Sequence, residues 1–168
     1  MYKITKKRFL AENIFLMDVE APRVAKNCHP GQFVIVRLDE KGERIPLTVC
    51  DYDAEAGTVT IVVQMIGAST KMMAEYEEGE YLRDFTGPLG CKSELIDEPV
   101  EELKKKKILF VAGGLGTAPV YPQVKWLHGQ GVEADCIIGA RNKSLIILEE
   151  EMKAVAKNVY VATDDGSY

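Results

Sequence analysis

Through about Thr86 the apolar residues come in short alternating or unbroken runs separated by turn-forming residues, the period of strands rather than helices. Residues 2–9, 14–19, 33–38, 47–51, 58–64 and 80–85 are predicted as six strands, which suggests a small antiparallel barrel. Pro30-Gly31 introduces the third run, and residues 52–57 are predicted to form a hairpin loop. Only residues 69–76 show helical spacing in this half, and their Met72, Met73 and Tyr76 predict a packed face.

Beyond a charged stretch at 98–107 the rhythm changes to strand and helix in alternation. Ile108 to Ala112 is short and continuously apolar, as expected of a parallel strand buried on both faces. A helix to about His128, a strand at 134–139, a helix from Ser144 to about Ala156 and a strand at 159–163 follow. Ser144 is placed as the cap of that second helix, with Leu145, Ile147, Leu148 and Met152 on its buried side. The predicted organisation is therefore a barrel over 1–97, a linker over 98–106 and a parallel α/β unit over 107–168. Three strands are fewer than a doubly wound sheet usually has, so the second unit is expected to be incomplete and the chain part of a longer polypeptide.

A chain of 168 residues with 46% hydrophobic content can bury a core. Its net charge of −5, with both signs mixed along the chain, argues against a nucleic-acid surface. The basic run Lys104 to Lys107 follows Glu101 and Glu102 and is expected to be a solvated linker. Cys28, Cys50, Cys91 and Cys136 are far apart, with no C-x-x-C pair and no neighbouring histidines, so no residue is assigned to a metal. Free thiols in a reducing cytoplasm are expected, and the N-terminal stretch lacks a signal or membrane-length apolar run. His29 and His128 have no paired group and are given no catalytic role, nor is Asp51.

The most chemically pointed segment is ILFVAGGLGTAPVYPQVKW. Gly113, Gly114 and Gly116 let the backbone turn and approach a ligand, and Pro119 fits a first helical turn whose free N–H groups would face a phosphate. The spacing is not G-x-G-x-x-G, because Pro119 holds the place of the third glycine.

In order along the chain, these segments resemble the ferredoxin–NADP reductase superfamily, a flavin-binding barrel followed by a nicotinamide dinucleotide domain. Pro30-Gly31-Gln32-Phe33 is similar to the lead into the third strand, and Arg44-Ile45-Pro46-Leu47-Thr48 to the flavin-binding R-x-Y-S element. Gly67-Ala68-Ser69-Thr70 resembles the pyrophosphate turn, and Gly87-Pro88-Leu89-Gly90 the element that closes the barrel. Gly113 to Pro119 resembles the nicotinamide-site glycine turn, and Gly139-Ala140-Arg141 the second nucleotide loop. More narrowly, ERIPLT, GGLGTAP and TDDGSY resemble the electron-transfer subunits of dihydroorotate dehydrogenase and the small subunit of NADH-dependent ferredoxin–NADP reductase. One spacing departs from the pattern: Ile45 stands where the parent motif has arginine, and Arg44 is one residue earlier. A strand residue shifted by one points to the other face, so Arg44 reaches a diphosphate if the strand bulges or ends there.

The resemblance implies an FAD-dependent NAD(P)H oxidoreductase, an electron-transfer subunit that passes a hydride from NAD(P)H to FAD and then single electrons to an iron-sulfur centre. Arg44, Pro46, Leu47 and Thr48 would hold the flavin, with the Thr48 hydroxyl near its reactive nitrogen as the one catalytic candidate. Gly67, Ala68, Ser69 and Thr70 would take the diphosphate, although Ser69 or Thr70 equally suits an ordinary helix cap. Gly113, Gly114, Gly116, Thr117 and Arg141 would take the nicotinamide nucleotide. Asp164 and Asp165 either contact its ribose or a partner, or cap the following turn. A [2Fe-2S] cluster belongs to a cysteine-rich segment that relatives carry and this sequence does not. A larger flavin and iron-sulfur oxidoreductase subunit and a ferredoxin-like carrier are the implied partners, with no nucleic acid or membrane involved. Such chemistry needs no general acid or nucleophile, in keeping with a chain that shows no Ser-His-Asp or Cys-His arrangement. The alternative is a non-catalytic docking or nucleotide-sensing module of the same fold, and a third reading is a riboflavin synthase-like barrel acting on free flavins.

Overall fold

The computed structural model describes residues 1–168. Ten strands fall into two sheets, one of seven strands and one of three. The first comprises β1 (Tyr2–Ala11), β2 (Ile14–Glu20), β3 (Phe33–Arg37), β4 (Ile45–Asp53), β5 (Thr58–Gln64), β6 (Tyr81–Leu82) and β7 (Asp84–Leu89), in the order β6-β1-β2-β5-β4-β3-β7. All its pairings are antiparallel.

Six strands were expected here and seven are found, because the run at 80–85 changes partner within it. Leu82 pairs with Tyr2 on β1, while Asp84 pairs with Arg37 on β3. These are the two outer strands of the sheet apart from β6 and β7 themselves, so one continuous segment draws both edges together and closes the barrel. Its interior is filled by alternate residues of these strands, among them Ile4, Phe15, Met17, Val34, Val36, Ile61, Leu82 and Phe85, all buried.

Two helices serve the barrel. The short α1 (Pro22–Asn27) escaped the periodicity because it is under two turns long; Pro22 opens it, and its Val24 and Ala25 are buried in the barrel core. The helix expected at 69–76 is α2 (Ala68–Glu75), with Met73 fully buried and Tyr76 packed against the core. Met72 does not join the packed face and remains 45% exposed.

Past a helical turn, α3 (Val100–Leu103), come β8 (Ile108–Gly113), α4 (Thr117–Gly129), β9 (Ala134–Ala140), α5 (Glu149–Lys153) and β10 (Asn158–Thr163). The strands pair in parallel in the order β10-β9-β8. Within the stretch read as a linker, Leu103 is fully buried beside Leu127, Val132 and Ala134 of the second unit. The lysines that follow are exposed, and Lys104 and Lys105 pair with Glu101 and Glu102 at 2.9 and 2.6 Å.

Two expectations for this unit are corrected. First, β8 is not buried on both faces: Leu109 and Val111 are 55% and 69% exposed, and Tyr160 on β10 is 55% exposed beside them. The helices pack on the other face, where α4 and α5 enclose Val124, Cys136, Ile138 and Met152. Second, no helix runs from Ser144 to Ala156. A 3-10 turn at Lys143–Leu145 ends at Ile146, Leu148 takes a left-handed φ of 56°, and α5 starts only at Glu149. Ser144 does not cap it; its hydroxyl donates to Asn142 Oδ1 at 2.7 Å. The interruption sends Ile147 and Leu148 into a cluster with Ile14, Leu16, Cys50 and Val62 of the barrel and Ala118 of α4. Burying two such side chains is worth about 1.5–3 kcal/mol each, more than the strain of about 1–2 kcal/mol at one left-handed residue.

Candidate functional site

The barrel half of the site arises where β4 changes partner. Its residues Ile45 to Thr48 pair with β3, whereas Val49 to Asp53 pair with β5, with a bulge at Cys50. Beyond Ile61 the strand β5 pairs only with β2, so the first half of β4 and the segment leading into α2 diverge. Along this part of β4, Ile45 and Leu47 are half-buried while Pro46 and Thr48 face outward and are exposed. Arg44 is exposed just before the first residue of β4, so the strand ends there and alternation sets Arg44 on the side of Pro46 and Thr48.

Across the opening stands the first turn of α2. Glu43, next to Arg44, accepts a hydrogen bond from the Ser69 hydroxyl and ties the start of β4 to this turn. Gly67 is the N-cap and has no side chain to offer the free amides of the turn. Thr70 caps backwards instead: its Oγ1 accepts from the backbone N–H of Ile66 at 3.0 Å and of Gly67 at 3.1 Å. A Cβ on Gly67 would meet no atom within 4 Å, so the space above the turn is open. Open amides at a helix start are suited to an anion.

The second half of the site lies at the carboxyl edge of the parallel sheet, where ligands of such sheets bind. A cleft of about 540 Å³ is lined by Gly113, Gly114, Gly139, Arg141, Thr163 and Asp164 of the α/β unit and by Ile14 and Gln64 of the barrel. Gly114 has a φ of +52°, which a side chain would resist, and turns the chain from β8 into α4. A Cβ on Gly113, Gly114 or Gly116 would meet nothing within 4 Å, so the turn presents bare backbone to open space. Thr117 is different: it is fully buried, and its hydroxyl has no hydrogen-bond partner.

The two aspartates after β10 part company. Asp164 lines the cleft, and its N–H donates to the Ala140 carbonyl at 3.1 Å. Asp165 accepts from the Ser167 N–H at 3.0 Å, and hydrogen bonds from Ser167 hold its carboxyl below the ordinary range, as expected of a turn cap. A cavity of similar volume, about 540 Å³, opens at the opposite, amino edge of the sheet beside Lys104, Lys107, Glu133, Lys157 and Tyr160. Gly131 of the loop before β9 lines it, and Lys157 is neutralised by Glu133 at 2.5 Å.

The sequence thus indicates Gly113, Gly114, Arg141 and Asp164, which the fold brings to one cleft, while Arg44, Pro46 and Thr48 lie exposed along the start of β4, which Glu43 ties to Ser69 on the first turn of α2. Ile14 and Gln64 were missed. They reach the cleft only because the barrel docks on the second unit, and no local pattern marks them.

No metal group is formed: the chain contains no cluster of three or more His, Cys, Asp or Glu able to hold an ion. Cys28, Cys50 and Cys136 are buried in three different apolar clusters and Cys91 is exposed, so these residues do not fit an iron-sulfur cluster.

The fold of a closed antiparallel barrel followed by a parallel α/β unit is that of the ferredoxin–NADP reductases. The structure of the NADH-dependent reduced ferredoxin-NADP oxidoreductase superposes with a TM-score of 0.86 at 38% identity, over 98% of this chain and 57% of that one. Phthalate dioxygenase reductase shares the fold at a TM-score of 0.73 and 17% identity, over 98% of this chain and 51% of that one. No family model matches the chain. Its homologues include the dihydroorotate dehydrogenase B (NAD(+)) electron transfer subunit homolog of Thermotoga maritima, 40% identical over 98% of this chain and 56% of the relative. An uncharacterized protein from the adh 3′ region of Clostridium beijerinckii is 61% identical over the whole chain and 57% of its own length. The chain therefore spans a little over half the length of these curated relatives. The homologues named for a function are electron-transfer subunits of flavin oxidoreductases.

Proposed function

We propose that the chain is the flavin- and nicotinamide-binding part of an electron-transfer subunit, in which NAD(P)H reduces FAD and the electrons pass one at a time to an iron-sulfur centre outside these residues. The observation that carries this reading is the shared cleft. Ile14 and Gln64 of the barrel line the same cavity as Gly113, Gly114, Arg141 and Asp164, so a nucleotide on the glycine turn lies against the barrel.

The residues present suit FAD. The outward face of Arg44, Pro46 and Thr48 would receive the ring system and its phosphates, Leu47 would support the strand from the core side, and the open amides of Gly67, Ala68 and Ser69 would hold the diphosphate. Bound there, FAD supplies the redox chemistry that no side chain of the protein can. Thr48 offers a hydroxyl close to the ring, and the glycine turn and Arg141 orient the nicotinamide nucleotide, with Asp164 at its ribose. Thr117 acts from beneath the turn. Alignment of this kind can lower the activation barrier for hydride transfer by up to about 7–11 kcal/mol without any acid or base.

NADH is the preferred reductant, in line with the names of the relatives, and a larger oxidoreductase subunit and a ferredoxin-like carrier are the partners such a subunit needs. A cytoplasmic location fits that role; no helix of the chain is long and apolar enough to cross a membrane.

The test is the visible spectrum of the purified chain, with identification of any released flavin. A yellow protein carrying FAD that bleaches on anaerobic addition of NADH is the expected result. A colourless chain that stays colourless after incubation with FAD would overturn the reading in favour of a docking or nucleotide-sensing module.

A further inference from the structure

Next to the nicotinamide cleft lies a groove of about 600 Å³, lined by Glu12, Asn13, Met65, Lys71, Arg141 and Asn142, among others. It shares Arg141 and Leu145 with the cleft, so the two form one continuous surface. Asn13 belongs to the two-residue turn between β1 and β2, Lys71 to α2, and Arg141 to the loop after β9. Three segments from both halves of the chain therefore meet there.

Asn13 is the informative residue. Its side-chain Oδ1 is buried and has no hydrogen-bond partner. Such an orphan is costly, and a buried one in a native fold calls for an explanation. Asparagine is common in two-residue hairpin turns because it tolerates positive φ, but that reason is absent here: Leu148 is the one non-glycine residue with positive φ. Lys71 and Arg141 both line the groove, and neither forms an ion pair with any carboxylate within 4 Å. Glu12 supplies the one carboxylate on the lining, exposed on the same turn as Asn13. Asn142 is already engaged by Ser144.

We infer that Asn13, Lys71 and Arg141 form a sugar–phosphate site completed by both halves of the chain. The two cations take a phosphate of a bound dinucleotide, and the Asn13 Oδ1, an acceptor, takes the hydrogen bond of a neighbouring sugar hydroxyl. This rests on the dinucleotide reading above and adds the β1–β2 turn and the body of α2 to it. A ligand held this way bridges barrel and α/β unit, so its binding also clamps the two together.

The experiment is a pair of fluorescence titrations, with FAD and with NADH, on the 168-residue chain and on its Lys71→Gln, Asn13→Ala and Arg141→Gln variants, together with thermal unfolding of each. Loss of a hydrogen bond to a charged group predicts a Kd raised about tenfold or more for the dinucleotide in the groove. Weaker NADH with unchanged FAD assigns the phosphate to the nicotinamide dinucleotide, and the reverse assigns it to the flavin; both support the site. Asn13→Ala is expected to weaken binding without lowering the unfolding midpoint, since it removes an unpaired polar atom. If the parent chain binds both dinucleotides and Lys71→Gln and Asn13→Ala bind them equally well, the groove is not a ligand site. If the parent chain binds neither, the dinucleotide reading falls and the groove with it.

Discussion

Lys125 on α4 sets its ammonium 2.7 Å from both carboxylate oxygens of Asp51 on β4, so an ion pair spans the two halves of the chain. Arg8 on β1 and Glu151 on α5 form a second such bridge. Between them lies buried Cys50, pressed outward from β4 by the bulge and covered by α4. Burial, with Asp51 and Glu151 adding to it, pushes the Cys50 thiol far above its usual range.

The Lys125–Asp51 pair is partly exposed, and its energy is modest for that reason, about 0.5–1 kcal/mol. Asp51→Asn and Lys125→Gln should each lower unfolding stability by that amount, with less effect at high salt. The double variant should show coupling in a double-mutant cycle read by urea denaturation. Additive losses would mean that the pair contributes nothing.

Thr48 is exposed, and no side-chain hydrogen bond engages it. Thr48→Ala should therefore leave the unfolding midpoint within about 0.5 kcal/mol of the parent. With FAD bound, reduction by NADH should slow about tenfold or flavin affinity should fall, as for one lost hydrogen bond at the ring. Stopped-flow rates and flavin occupancy that both match the parent would remove Thr48 from the site.

Gly116 offers a cleaner probe of the glycine turn than Gly114. Its φ of −60° is open to any residue, whereas Gly114 sits at +52° and would add backbone strain. Gly116→Val should place its side chain in the open space above the turn and weaken NADH at least tenfold, with circular dichroism unchanged. Undiminished NADH binding would move the nucleotide away from this turn.

Leu103 decides how the stretch between the two halves behaves. It is fully buried, so Leu103→Ala should cost about 2–5 kcal/mol in equilibrium unfolding. A loss near zero would be the mark of a true linker.

Cys91 is exposed while Cys28, Cys50 and Cys136 are buried, and burial raises the Cys28 thiol to about 11. In the native chain at pH 8 a thiol reagent should titrate one group quickly and the other three only after unfolding. Because a raised thiol pKa leaves the neutral form in both states at this pH, these groups should add no pH dependence to stability below their unfolded value of about 8.5, and should oppose folding only above it.

Much of the barrel was legible in the chain because strand signals are local. Alternation marked the strands, Pro30-Gly31 marked a turn, and the glycine run after Ile108 to Ala112 marked the turn at the carboxyl edge of the parallel sheet. Two of the misses share one cause. At residues 80–85 the chain changes partner, and at Leu148 it breaks a helix to bury two side chains against the barrel; both are choices made by distant residues.

By itself, then, the sequence determined which residue types stand at each strand end and turn, and so which chemistry each can offer: glycines, an arginine and an aspartate at one edge, a threonine and an arginine beside another. Only the tertiary structure decided which of them line one cavity. Ile14 and Gln64 enter the cleft, Asn13 and Lys71 meet Arg141, and Thr117 turns inward through packing between elements far apart in the chain. Side-chain periodicity reports which face is buried, but not against what.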